Sequence, residues 1–392
     1  MHLSWPARVG LSLLVTGATV AVAGPAEAAS SSYATAGTTK VSFLADYGAK
    51  NAVVITRSGR TVTIDDRVRL KPGKGCKQVK GDKTRVRCTT KKTPTAVSVK
   101  VYDRNDSVIN KSDLRLVAVG GPGNDKLVGG PKADMLQGDD NWCDTRSKHG
   151  NDKIYGGAGN DKIYADDGAD YVSAGNGNDT VYGDSDCVSH RDYPGNDVVH
   201  GGNGNDTLLG GGRDDKLYGG SGNDFIAGST GRDRVEGGAG NDQLYGDVDD
   251  RSAVADVILG GSGRDWVDYG AYKKAVTVDL DGASSDDGVP GERDTVGSDI
   301  EILTGGFGND RLVGNAAANE INGWDGHDVI YGRGGNDRLD GWEGNNKLYG
   351  EEGDDTLATG PGASRLDGGP NSDTCWSNPA FTLVGCEELR PW

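Results

Sequence analysis

The sequence predicts an all-β protein, a parallel β-roll (β-solenoid) of nonapeptide repeats behind a small β-rich N-terminal domain. Three observations lead there. Glycine supplies 65 of the 392 residues, more than twice the roughly 7% of an ordinary chain. Only 34% of the residues are hydrophobic and the net charge is −17, which leaves disorder as the rival explanation. From Gly120 onward, however, glycines, an aspartate and an aliphatic residue recur in nine-residue phase. A disordered chain has no reason to hold that phase.

The elements follow in order. Residues 1–28 read as a secretory signal peptide. Arg8 charges its start, Val9 to Ala23 is apolar but too short to span a bilayer, and Ala26-Glu27-Ala28 offers small residues for cleavage. No later segment reaches the length of about 18 apolar residues that a membrane helix needs. All six cysteines lie beyond residue 28, an even number that an oxidising compartment would pair into three disulfides. Residues 30–118 carry 19 Lys and Arg against 7 Asp and Glu, a net +12, whereas 119–392 carry 22 against 51, a net −29. That break separates a basic β-rich domain, 30–118, from the repeats. Residues 119–268 and 305–376 form two repeat blocks, 269–304 an irregular insertion and 377–392 a C-terminal cap.

The repeat is G-G-x-G-x-D-x-U-x, with U aliphatic. Of 22 units, 19 have Asp in column six and 21 have an aliphatic residue in column eight. Glycines permit positive φ and close backbone approach, so G-G-x-G makes a tight turn. The x-U-x that follows is a short strand whose central side chain points inward. Two units complete a coil of 18 residues, and coils stack at about 4.8 Å into two parallel sheets. Column eight is then a thin core, each side chain contributing roughly 1.5–3 kcal/mol. Ordering each residue costs about 1–2 kcal/mol in backbone entropy, so the turns need another source of stability.

The winding aligns Asp206 with Asp224 and Asp224 with Asp242. Such files of like charge repel unless neutralised. A Ca²⁺ between coils, held by carboxylates and turn carbonyls, meets the hard-cation preference for roughly six to eight oxygen ligands and couples folding to binding. The candidate ligands are Asp125, Asp134, Asp152, Asp161, Asp170, Asp179, Asp197, Asp206, Asp215, Asp224, Asp233, Asp242, Asp256, Asp265, Asp310, Asp328, Asp337, Asp355 and Asp373. Asn319, Asn346 and Ser364 stand in the same column and are not assigned.

The units from Gly120 to Trp376 resemble the hemolysin-type (RTX) calcium-binding repeats. Ala255 to Asp337, with Tyr269-Gly270-Ala271, Val276-Thr277-Val278-Asp279-Leu280 and Ile300-Glu301-Ile302-Leu303, is similar to the C-terminal region of serralysin-type proteins. The basic segment and the stretch Cys375 to Glu387 resemble those of secreted actinobacterial calcium-binding proteins. The resemblance implies that column-six Asp side chains and glycine-turn carbonyls bind Ca²⁺. Only seven units have all three glycines and the Asp, so occupancy is expected to vary along the roll.

Three units are overlong: 138–155 and 183–200 by nine residues each, and 246–259 by five. Read as loops, they fall on one edge of the roll, and Cys143 can reach Cys187. Read as extra units, the first two excesses separate those cysteines and forbid the bond. Loops fit better, because extra units would place Cys143 or Val188 in column six. Cys76 with Cys88 would close a hairpin, and Cys375 with Cys386 the last coil, shielding its open end. In 269–304, Val276-Thr277-Val278 alternates like a strand, and Asp281 to Asp294 is an acidic loop, either solvated or holding a further Ca²⁺.

Catalytic signals are lacking. There is no HExxH, no GxSxG, no EF-hand loop and no third glycine for a dinucleotide fingerprint. Ser189, His190 and Asp192 are neighbours in sequence, but a triad is assembled in space. The sequence thus predicts no enzyme, with no catalytic and no organic-cofactor residues. Trp324 and Trp342, one coil apart, should stack, as should Tyr331 and Tyr349, either as packing or as a strip for sugar rings. Arg67 to Lys92 holds eleven cations and one acid, Asp82. It could bind anionic wall polymers or membrane surfaces, or lie as a solvated hairpin against the acidic roll. Nucleic acid fits poorly with so acidic a chain. The predicted function is that of a secreted, monomeric, extracellular Ca²⁺-binding β-roll that folds on binding and has a structural or surface role. The alternative is a secreted hydrolase, or a carbohydrate- or wall-binding adhesin, on the same scaffold. An ice-binding solenoid would need a regular Thr-x-Thr file, which the outward columns lack.

Overall fold

The computed structural model describes residues 32–139, 149–184, 194–248, 250–251, 254–378 and 380–391. Residues 1–28, Cys143, Cys187 and the Ser189-His190-Asp192 group lie outside them. Among the described residues there is no helix, and strands succeed one another from Tyr33–Ala36 to Glu388–Pro391. The cause is the predicted one. Column eight turns inward, and all 22 of its side chains, from Leu127 to Cys375, are at most 1% exposed.

One parallel sheet runs the length of the molecule. It starts with Lys40–Leu44, Ala96–Lys100 and Arg115–Val119, takes the strand of every second unit, and ends with Thr374–Ser377 and Glu388–Pro391. A second sheet faces it from Val53–Ser58 and Ser107–Asn110 to Val257–Ser262 and Thr295–Val296. There it stops. A third sheet, opened by Thr277–Asp279 and Arg311–Val313, takes its place to Thr382–Val384. The out-of-phase segment 269–304 is therefore the handover between two sheets.

The charge break at residue 119 falls inside the stack, because Arg115–Val119 pairs in parallel with strands on both sides. The coil before Gly120 turns without glycine. Tyr102 and Arg104 take φ of 68° and 82°, and the next coil lays Gly121 and Gly123 over them at 87° and 140°. A β-carbon on Gly121 would stand 2.0 Å from the Tyr102 carbonyl oxygen. Left-handed backbone is needed there, and glycine supplies it without strain.

Register decides how the overlong units are accommodated. Leu127 pairs with Ile154, Val172 with Val199 and Val235 with Ile258, so the ladder steps over 27, 27 and 23 residues there in place of the usual 18. The strands themselves are longer than the predicted three residues. From Val198 to Ser262 most run for six, because the first glycines of the next unit join the ladder, as Gly202 does opposite Gly175. Cys76–Cys88 and Cys375–Cys386 are disulfides, as predicted.

Candidate metal centre: four files of aspartate

All 19 predicted aspartates lie at the turn edges, each at most 3% exposed. The structure sorts them into four files. Asp125, Asp152, Asp170, Asp197, Asp215, Asp233 and Asp256 line one edge of the first block. Asp134, Asp161, Asp179, Asp206, Asp224, Asp242 and Asp265 line the other. In the second block Asp310 and Asp328 form one file, Asp337, Asp355 and Asp373 the other.

Every file is built by the same bond. The backbone N–H of one aspartate donates to Oδ1 of the next coil's aspartate, at 2.7 Å for Asp206 to Asp224 and 2.8 Å for Asp224 to Asp242. One carboxylate oxygen is thus occupied by the fold. The other is not: 17 of the 19 have a buried Oδ2 with no hydrogen-bond partner. The exceptions accept from the backbone, Asp134 from Gly130 and Asp310 from Gly306. A buried, unpaired carboxylate oxygen costs several kcal/mol unless a cation or proton meets it.

The first glycine of each unit shows what surrounds that oxygen. A β-carbon on Gly201 would stand 2.4 Å from Asp206 Oδ2 and 2.6 Å from the Gly219 carbonyl oxygen. Gly219 and Gly237 repeat the crowding with Asp224 and Asp242. Carboxylate and carbonyl oxygens therefore converge within the turn, and no hydrogen-bond donor meets the carboxylate oxygen. An all-oxygen set of this kind suits a hard divalent cation such as Ca²⁺.

Electrostatics agrees. Burial first, then the neighbouring acids Asp197 and Asp152, push Asp170 up to about 11. Burial with Asp294, Asp233 and Asp247 pushes Asp256 to about 10, and burial with Asp152 and Asp106 pushes Asp125 to about 9. The opposite edge is milder, with Asp134 and Asp224 at about 6, again chiefly through burial. The edges differ chiefly because the first is the more deeply buried, and its column two also carries extra acids. Asp139, Asp166, Asp184 and Asp247 replace glycine there and are buried or half-buried, and burial with Asp152 pushes Asp139 to about 9.

The positions left unassigned look different. Asn346 donates from Nδ2 to the Gly341 carbonyl at 2.6 Å and to Thr359 Oγ1 at 2.9 Å. Asn319 donates to the Ile300 carbonyl at 3.4 Å. At Asn346 the amide N–H group takes the place that Oδ2 has in the aspartates, whereas at Asn319 Oδ1 takes it and accepts from Asn315 N–H at 2.8 Å.

Four acids missed from the sequence extend the files. Asp106 accepts from Asn51 N–H and donates its own to Asp125; Asp294, Glu301 and Glu387 accept from the last aspartates of their files, Asp256, Asp265 and Asp373. The signal was present without the glycines: Asp106, Asp294 and Glu301 each precede a buried aliphatic residue by two, namely Val108, Val296 and Leu303. Column five was overlooked too. Its asparagines form an exposed ladder, Asn178 Oδ1 accepting from Asn205 and Asn205 Oδ1 from Asn223. In the acidic loop, Asp279, Asp281 and Asp286 each bring a ligand oxygen within 4.8 Å of the others, at largely exposed positions. Trp324 and Trp342 stack at 6.0 Å, Tyr331 and Tyr349 at 5.0 Å, as predicted.

Among the described residues no helix is long and apolar enough to cross a membrane. No curated protein matches the chain. The family described as RTX calcium-binding nonapeptide repeat (4 copies) matches residues 119–142, 150–185, 193–226, 218–251, 255–271, 295–330, 314–348, 325–357 and 349–378. Those segments make up more than half of the sequence and coincide with the aspartate files, so the chain belongs to the RTX calcium-binding nonapeptide repeat family and is a calcium-binding β-roll protein.

Proposed function

We propose that this protein is exported and completes its folding outside the cell, where Ca²⁺ enters the turns, and that its role is structural, at a surface, and not catalytic. The observation that carries this reading is the set of buried, partnerless Oδ2 atoms. Successive aspartates along a file, with the turn carbonyls, would hold the ion, and the ion would supply the positive charge that the fold lacks at those points. Extracellular modules of this kind bind Ca²⁺ at about 10⁻⁴–10⁻³ M, so an unfolded chain inside the cell and a folded one outside follow from mass action. The signal-like segment 1–28 and the disulfides Cys76–Cys88 and Cys375–Cys386 support export.

The test is a Ca²⁺ titration of the metal-free chain at neutral pH, followed by circular dichroism, with Mg²⁺ in parallel. The β signal should rise cooperatively over millimolar Ca²⁺, remain low in Mg²⁺ and disappear on chelation. A chain that keeps its full β content after metal removal at neutral pH would rule the proposal out. Screening the folded chain against hydrolase substrates tests the non-catalytic part.

A further inference from the structure

The basic segment does not lie against the acidic roll. It forms the free end of the second sheet, where Val53–Ser58, Thr61–Asp65, Asp82–Thr89 and Cys76–Val79 continue as antiparallel strands. Cys76–Val79 is the edge, and three strands separate it from Ser107–Asn110, the strand that follows Asp106 at the start of its file. At about 4.8 Å per strand that is roughly 19 Å, more than two Debye lengths of about 8 Å at physiological salt. The acid files cannot neutralise charge placed so far away.

Ten of the eleven cations between Arg67 and Lys92 are exposed. Among the described residues none of these ten forms an ion pair, whereas half-buried Arg85 bonds Asp65 at 2.6 Å. Lys77 stands directly opposite Arg87 in the ladder, beside the Cys76–Cys88 disulfide. Like charges in that position destabilise a sheet, and the disulfide clamps the two strands that bear them. An exposed, repelling pair that contributes nothing to the fold implies an anion from outside.

The surface also indicates which anion. No aromatic residue lies between Tyr47 and Tyr102, so there is no platform for stacking bases. No large exposed apolar side chain occurs in that stretch, so nothing enters a bilayer. A second copy is a poor partner, since the aspartates of its files are at most 3% exposed. We propose that the hairpin Cys76–Thr89, with its flanking lysines, is a docking strip for an extended anionic polymer bearing phosphodiester groups on a non-aromatic backbone. This goes beyond the calcium reading and does not depend on it.

The experiment measures binding of poly(glycerol phosphate) to the full Ca²⁺-loaded chain between 50 and 300 mM salt, values of about this range being where counterion release is read. The triple variant Lys77→Gln, Lys83→Gln, Arg87→Gln is compared with Lys71→Gln, Lys74→Gln, Lys80→Gln, so that a misfolded first variant is replaced by the second. Circular dichroism checks the fold of each, and Lys216→Gln, at an exposed cation on the roll, serves as the control. Each lost cation of the strip should lower the logarithmic salt slope by about one and weaken binding roughly two- to tenfold at 0.1 M salt, while Lys216→Gln leaves the slope unchanged. Undiminished binding by both triple variants overturns the proposal. So does equal or tighter binding to phosphatidylcholine vesicles containing phosphatidylglycerol, which would identify a membrane site. Polymer-independent self-association that disappears in the variants, seen by sedimentation, would identify a second copy and overturn it as well.

Discussion

Removing calcium should make this protein behave in the opposite way to most acid-sensitive proteins. Its buried aspartates have raised pKa values, so the folded metal-free chain retains protons that the unfolded chain releases. The stabilisation from such groups is fully present below the ordinary value of 3.8 and is lost as pH rises through the folded value. For Asp152, Asp206, Asp233, Asp328 and Asp337 that value is about 7, with burial as the main cause in each. A carboxyl moved from 3.8 to about 7 disfavours its charged form by roughly 4 kcal/mol. Two such groups match the whole net stability of a typical domain, about 5–15 kcal/mol. Ionising five, with others higher still, exceeds it. The metal-free roll should therefore be folded near pH 4.5 and unfolded near pH 7.5, and Ca²⁺ should restore it only at the higher pH. The assay is thermal melting by circular dichroism after metal is stripped at neutral pH and the sample moved to each pH. A stripped chain that melts at the same temperature at both pH values, or higher at 7.5, would refute the reasoning.

Two further predictions concern single residues. Asn346→Asp removes amide bonds to the Gly341 carbonyl and Thr359 Oγ1 and should cost roughly 1–3 kcal/mol without metal. The same change should add Ca²⁺ uptake in the second block, read by calorimetric stoichiometry; unchanged stoichiometry would count against the role given to column six. Gly222 takes φ of 130°, and a β-carbon there would stand 2.1 Å from the Gly204 carbonyl oxygen. Gly222→Ala should destabilise the Ca²⁺-loaded roll by about 3 kcal/mol or more, through backbone strain and lost stacking, as measured by urea unfolding.

Much of this molecule is one-dimensional, and that part was legible in the sequence. Each nonapeptide contacts mainly its neighbours in the stack, so nine-residue phase predicts the turn at Gly201–Asp206, the inward Leu208 and the partner of Asp206 one coil on. The disulfides Cys76–Cys88 and Cys375–Cys386 were readable for the same reason, since each closes a short local loop. Asp106, Asp294 and Glu301 were harder to read as file members, because no G-G-x-G precedes them and the aliphatic residue two places on is their one sequence signal; stacking on Asp125, Asp256 and Asp265 places them. Three things needed the tertiary structure. Register alone showed that Leu127 pairs with Ile154 and Val172 with Val199 across the overlong units, since pairing depends on what lies across the ladder and not along it. The replacement of one sheet by another at Thr277 arises from a segment with no period to read. The division within the carboxylates, Oδ1 bonded to the backbone and Oδ2 left without a hydrogen-bond partner in 17 of the 19, is fixed by coil-to-coil geometry that no single unit contains.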